Sequence, residues 1–244
     1  MAMLVAHRGF RSTNGENRIV DFINALKTCK AVEFDIRMTK DEKIIIFHDN
    51  DFKRIGNENK TVNSLSYQEI KNLDFFKNNP DFLPPLLIDD FAKNLANKYQ
   101  VINVEIKAEV NRNYSNKELE IIFSEIKNLT FYTEAEIIVS SFNHNLLDEI
   151  NKRIELPIKT GYLFNTKENF NENYAKKFDY IHPSIKSALN QKMISKLKIL
   201  NKPLNIWTFK TNKQAEKINQ IYQEQVKGYI SDIKNLKWTK EKSH

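Results

Sequence analysis

The chain has 244 residues, with 38 Lys and Arg against 31 Asp and Glu for a formal net charge of +7, and its hydrophobic residues make up 41%. That apolar content is too high for a disordered chain and sufficient for a folded interior. The lysines are scattered along the whole length with no basic stripe interleaved with aromatics, which argues against nucleic-acid binding, and a single cysteine excludes an intrachain disulfide.

Cys29 falls on the apolar face of a helical pattern and is expected as a buried structural thiol. The first residues, Met1 to Ala6, are apolar but run into His7 and Arg8 without the basic region and length of a signal peptide. No run approaches the roughly 18 apolar residues of a membrane span. These features predict a cytoplasmic protein without stable membrane insertion.

Apolar β-branched runs alternate with amphipathic stretches, the pattern of repeated βα units around a parallel sheet. The first strand covers Leu4 to Ala6, and helical spacing of Ile19, Val20, Phe22, Ile23 and Leu26 predicts a helix over 19–27. A strand over 31–37 follows, then a short apolar run over 44–47 that ends at His48. Residues 49–85 are polar and read as a loop insertion with one short helix, starting at the capping-box pattern Ser66-Tyr67-Gln68-Glu69 and closing on Pro84-Pro85. The alternation resumes with helix 86–98, strand 101–106, helix 116–128, strand 136–140 and helix 144–153. Strand 158–163, a helix near 167–177, strand 179–182 and helix 187–199 come next. Strand 204–209, helix 212–222, strand 228–231 and a tail helix complete the chain, with 234–244 a charged, frayed terminus. About eight parallel strands close a barrel, so the expected architecture is a (β/α)8 TIM barrel in one domain over 1–244, interrupted by the 49–85 insertion.

In such a barrel the reactive side chains sit at the C-terminal ends of the strands. His7, Glu33, Asp35, His48, Glu105, Lys107, Ser141 and Trp207 all fall at such ends and are expected to converge on one rim. Side chains alternate along a strand, so Glu33 and Asp35 share a face while Phe34 takes the other. Ionised carboxylates crowded into a barrel mouth are costly unless a cation neutralises them. Glu33, Asp35 and Glu105 are therefore candidate ligands of one divalent cation, and all-oxygen ligation favours Mg2+ or Ca2+ over zinc.

That leaves His7 and His48 free for proton transfer near neutral pH. Arg8 and Lys107 add positive charge where phosphoryl oxygens would sit. A metal, two histidines and two cations describe a phosphodiester-cleaving site. Trp207 is either core packing or a wall for the non-phosphate part of a substrate. Ser141 lacks the glycines of a nucleophile elbow, and five thinly spread glycines leave no phosphate loop. His144, His182 and His244 are expected to be structural or exposed.

These residues belong to an ordered set: His7-Arg8-Gly9, Glu16-Asn17, Glu33-Phe34-Asp35, Thr39-Lys40-Asp41, His48-Asp49, Leu83-Pro84-Pro85-Leu86, Asn103-Val104-Glu105-Ile106-Lys107, Ser141-Phe142, Trp207-Thr208 and Gly228-Tyr229-Ile230-Ser231-Asp232. In this the chain resembles the glycerophosphodiester phosphodiesterase family over nearly its whole length. The resemblance implies a TIM barrel with a small insertion after the second strand. It also implies hydrolysis of small-molecule glycerophosphodiesters, deacylated phospholipids such as glycerophosphocholine, to sn-glycerol 3-phosphate and an alcohol, by a monomer or small homo-oligomer.

By position His7 and His48 match the family's acid and base, and Glu33, Asp35 and Glu105 its metal ligands. Arg8 and Lys107 match its phosphate contacts, Glu16 the acidic residue of its first loop. The family's usual Pro-Glu-Asn-Thr reads Gly15-Glu16-Asn17-Arg18 here, which is expected to loosen that loop. Its usual Asp-Gly turn has become Asp41-Glu42, whose backbone is expected to avoid positive φ. Two alternatives stand beside this reading: a lysophospholipase D or sphingomyelinase D-like enzyme on the same barrel, and a noncatalytic binder of phosphorylated ligands.

Overall fold

The computed structural model describes residues 2–110, 112–154 and 157–239. Nine strands form one sheet: β1 (Met3–His7), β2 (Ala31–Met38), β3 (Ile44–Ile46), β4 (Val101–Ile106), β5 (Glu136–Ser141), β6 (Lys159–Phe164), β7 (Tyr180–Pro183), β8 (Leu204–Phe209) and β9 (Val226–Ser231). Eight are mutually parallel, and β1 pairs with both β2 and β9, which closes the sheet into the expected TIM barrel. The ninth, β3, returns antiparallel along β2 with Ile36 opposite Ile46.

The strands read as apolar runs because both of their faces are covered. Every residue of β2 is buried. Its outward residues Val32, Phe34 and Ile36 join the main core beneath the helices, where Phe34, Phe22 and Phe91 meet edge-to-face or tilted with ring centroids 4.8–5.7 Å apart. Each such ring contributes about 1.5–3 kcal/mol by leaving water. Its inward residues Glu33, Asp35 and Arg37 are polar and buried, so this strand places charge in the barrel mouth while anchoring itself on the outside.

The insertion contains more helix than its sequence pattern suggested: Lys53–Gly56, Tyr67–Lys71 and Asp74–Asn78. Only Tyr67–Lys71 carries the Ser66 and Glu69 capping box, which is why it alone was legible. The others are single turns held by tertiary packing of Phe52, Phe76, Ile70, Val62 and Leu73 on Ile45 and Phe47, a second small core.

Other elements depart in detail. The expected helix over 86–98 opens with π-type turns over Leu87–Ala92. The expected helix over 187–199 is two, Ile185–Ala188 and Gln191–Leu200, because the Asn190 side chain caps the second. The expected helix over 167–177 shortens to Glu172–Ala175 after a 3-10 turn. In Ile19–Ala25 only Phe22 and Ala25 are buried, while Val20 and Ile23 stay exposed. Cys29 lies beyond the end of that helix, half-buried rather than buried, with its thiol donating to the Ala31 carbonyl. Asp232 to Thr239 forms no helix, so the tail helix is absent among the described residues; Trp238 instead stacks on Tyr229 at 4.5 Å. The rest of the expected tail, with His244, lies outside the described residues. Among the described residues no helix is long and apolar enough to cross a membrane.

Candidate active site

At the end of β1 the chain turns sharply after His7. Arg8, Gly9 and Phe10 take φ of 51°, 76° and 68°, three successive residues in the left-handed region. Gly9 is required there, since a Cβ would stand 2.8 Å from the Asp21 Cβ. Phe10 is held by burial and Arg8 N–H by the Glu33 carbonyl at 2.7 Å. The corner leaves His7 at the rim and drives the Arg8 side chain into the barrel.

Asp35 lies opposite Glu105 across the β2–β4 ladder, and Glu33 one inward position earlier. Glu33, Asp35 and Glu105 each offer an oxygen, and these oxygens all lie within 4.8 Å of one another. Arg8 Nε sits 3.0 Å from Asp35, and Lys107 Nζ 2.6 Å from Glu105 and 3.4 Å from Asp35. Asn17 donates to the same Asp35 carboxylate at 3.0 Å.

Burial works against the charge on all three acids, and the balance differs at each. Arg8 and Lys107 outweigh it at Asp35, whose carboxyl is held well below the usual range. Burial, with Asp35 and Glu105 as like charges, pushes Glu33 well above its ordinary value. Burial likewise raises Glu105 against the pull of Lys107. Burial would lower Lys107, yet Glu105 and Asp35 outweigh it and hold the ammonium charged.

Three carboxylates thus face two cations, and two of their oxygens, Glu33 Oε2 and Asp35 Oδ1, are buried without accepting a hydrogen bond. Such atoms are costly to leave alone. A hard divalent cation fits this donor set: it would supply the missing partner and offset the burial and like charges that work against the Glu33 carboxylate.

Each histidine is fixed by a carboxylate. His7 Nδ1 lies 2.5 Å from Asp232, and His48 Nδ1 lies 2.7 Å from Asp49. A carboxylate only accepts, so both Nδ1 atoms carry the proton and both Nε2 atoms are left for chemistry. His7 Nε2 is 3.9 Å from Glu33. Burial lowers the His7 pKa, opposed by its bond to Asp232, so its ring is neutral near neutral pH.

Asp49 is also gripped by Arg54 at 2.6 Å, and the same guanidinium reaches both oxygens of Glu16 at 3.0 and 2.7 Å. Glu16 in turn accepts from Arg8 and Arg11. Burial opposes its charge, but three guanidiniums keep its pKa below the ordinary value. A cavity of about 340 Å³ is lined by His7, Arg8, Glu33, His48, Glu105, Lys107 and Trp207.

The sequence model of the glycerophosphoryl diester phosphodiesterase family matches residues 7–233. The chain belongs to this family. A glycerophosphodiester phosphodiesterase of Bacillus altitudinis is 28% identical over 225 residues, covering 88% of this chain and 89% of its own. An uncharacterized protein of Mycoplasma genitalium is 29% identical, covering 90% of this chain and 93% of its own. Among solved structures, a glycerophosphodiester phosphodiesterase from Thermotoga maritima superposes with a TM-score of 0.73 at 21% identity, covering 95% of each chain. A phosphodiesterase from Oleispira antarctica, solved with the product sn-glycerol-3-phosphate, gives 0.75 at 18% identity, covering 95% of this chain and 93% of its own. This glycerophosphodiester phosphodiesterase family member is an enzyme, so a noncatalytic binder is set aside.

The barrel brings together nearly all residues singled out in the sequence, and the differences concern what they touch. Ser141 does not face the cavity chemistry: its hydroxyl donates to the Ile106 carbonyl. Trp207 does line the cavity, with its indole N–H on the His182 carbonyl and Phe142 edge-on at 5.3 Å. Glu16 is committed to three arginines. His182 is fully buried, and His144 packs on Tyr162 and Tyr174.

Sequence reasoning gave no role to Asp232, Asp49 or Arg54. Asp232 and Asp49 were visible as acids one residue past a strand end or next to a histidine. Arg54 lies in an aperiodic insertion and carried no signal.

Proposed function

We propose that this enzyme hydrolyses glycerophosphodiesters, deacylated phospholipids such as glycerophosphocholine, to sn-glycerol 3-phosphate and an alcohol. His7 and His48 form the acid–base pair, and Glu33, Asp35 and Glu105 hold one divalent cation, Mg2+ or Ca2+. The reading treats 1–244 as a single phosphodiesterase domain with 49–85 as its insertion. The observation that carries it is the convergence of two carboxylate-fixed imidazoles, Glu33 and Glu105 on one cavity, with Asp35 clustered against the two acids. The Bacillus altitudinis relative, a glycerophosphodiester phosphodiesterase, and the sn-glycerol-3-phosphate product held in the Oleispira antarctica structure support the same substrate class.

One imidazole Nε2 takes the proton of the attacking oxygen, from water or the substrate's own glycerol hydroxyl, and the other gives a proton to the departing alkoxide. Asp232 and Asp49 keep each ring turned and stabilise it when protonated. Arg8 and Lys107 border the same space and oppose the phosphate's charge. The bound cation would supply further positive charge to the phosphoryl oxygens. Trp207 and Phe142 wall one side against water.

Phosphorus NMR of glycerophosphocholine turnover tests this. EDTA should abolish release of glycerol 3-phosphate, Mg2+ or Ca2+ should restore it, and His7→Ala or His48→Ala should each cost about 10²–10⁴ in kcat. Turnover that survives EDTA, or near-normal rates in both folded variants, would defeat the reading.

A lysophospholipase D-like activity is the second reading, favoured by Phe142, which is 40% exposed beside Trp207 where an acyl chain could lie. Faster turnover of lysophosphatidylcholine than of glycerophosphocholine would select it.

A further inference from the structure

A second cavity, of about 530 Å³, opens between the first loop and the insertion. Arg11 lines both this cavity and the catalytic one, so the two adjoin. Its charged wall consists of Arg11, Arg18, Arg54, Lys210, Glu16 and Asp232.

Of the two acids, Glu16 is fully engaged and Asp232 through one oxygen only. Asp232 holds His7, and both oxygens of Glu16 are taken by Arg8, Arg11 and Arg54. Two of the cations are engaged as well: Arg18 is paired with Asp21 through two nitrogens and lies 4.4 Å over the Phe82 ring, and Arg54 bridges Glu16 and Asp49. Arg11 uses only Nε, leaving its terminal nitrogens without a protein partner, and Lys210 makes no ion pair among the described residues. The wall therefore offers two uncommitted cations against one partly committed acid, Asp232, whose Oδ2 makes no hydrogen bond among the described residues.

We propose that this cavity receives the second arm of the diester and selects an arm that carries its own phosphate over one that carries an ammonium. The inference rests on the phosphodiesterase reading above and deepens it. An arm entering here meets Arg11 as it leaves the catalytic cavity and Lys210 beyond it. A guanidinium and an ammonium together match a phosphate's oxygens, as a fork and as a point charge. A choline or ethanolamine arm is repelled by both and finds only the free oxygen of Asp232 to set against them.

The test measures kcat/KM of the metal-loaded enzyme on three diesters. These are bis(glycerophospho)glycerol, whose second arm bears a phosphate, glycerophosphoglycerol, whose arm is neutral, and glycerophosphocholine. The expected order is phosphate-bearing, neutral, ammonium-bearing, with at least tenfold between first and last at low salt and a narrower spread at high salt. Lys210→Glu should cut that ratio by about tenfold, and Lys210→Arg should keep it. Lys210 is exposed, so neither change threatens folding. Glycerophosphocholine turned over as well as or better than the phosphate-bearing diester would overturn the inference while leaving the phosphodiesterase reading intact. A ratio unmoved by Lys210→Glu would do the same. Failure to release glycerol 3-phosphate from any of the three would instead remove the reading on which the inference stands.

Discussion

Asp232 and Asp49 each accept from a histidine Nδ1 and leave Nε2 free, and in the proposed mechanism neither needs to touch the phosphate to do so. Replacing either acid by its amide keeps the size but removes the negative charge and lets an N–H donor face Nδ1, so the Nδ1–H tautomer is no longer selected. Asp232→Asn is expected to lower kcat by about 10²–10⁴ with little change in KM, because a ring in the wrong tautomer fails in the transition state more than in binding. Steady-state kinetics on a variant with native circular dichroism check this; a fall confined to KM would assign Asp232 to substrate binding instead. Arg8 and Lys107 show how burial reverses a simple reading of charge. The sequence marks both as phosphate contacts, yet each is bonded to the buried acids. Those two cations offset the burial that works against the charge on Asp35 and Glu105.

Among the elements, the β2–β3 hairpin shows how tertiary contacts override turn preference. Glu42 occupies a φ of 62°, the very form its side chain was expected to avoid. The turn is fixed from outside: Asp41 accepts from the Thr39 hydroxyl at 2.6 Å and from Tyr67 N–H at 2.8 Å, while Glu42 N–H bonds the Thr39 carbonyl. A left-handed residue with a Cβ costs about 1–2 kcal/mol, and the exposed Glu42–Lys117 pair returns little of it. Glu42→Gly should therefore stabilise the protein by about 0.5–1 kcal/mol after the added freedom of the unfolded chain is counted. A urea midpoint measured beside wild type decides it.

The eight barrel strands were legible because each is an apolar run of ordinary length, and the site acids because period-two alternation gives their facing directly. The insertion was legible only where a capping box marked it. Lys53–Gly56 and Asp74–Asn78 owe their helicity to the aromatic cluster beneath them, which sequence spacing does not reveal. For the same reason Arg54, which ties the insertion to Glu16 and Asp49, became visible only in three dimensions.

For the molecule as a whole, pH enters stability through the barrel interior. His182 is fully enclosed, its ring within 2.8 Å of where a Cβ on Gly161 would stand, and burial drops its pKa from 6.5 to about 3. The unfolded chain takes up a proton near pH 6.5 that the folded protein refuses until about pH 3. Stability from this residue is therefore whole above pH 6.5 and declines below it. Between about pH 7.5 and about pH 5 the loss is about 2 kcal/mol. His182→Asn should make the pH dependence of the unfolding free energy shallower by that amount across the same interval, whatever its effect at neutral pH; an unchanged slope would mean that the histidine is not shielded. The corner after His7 has a cost on the same scale. Arg8 and Phe10 each hold a conformation worth about 1–2 kcal/mol against them, so robustness is given up there in exchange for the placement of the imidazole proposed to be catalytic. Breeding this enzyme for heat tolerance alone would reward any change that relaxes those few residues, and the survivors would be sturdy catalysts of nothing.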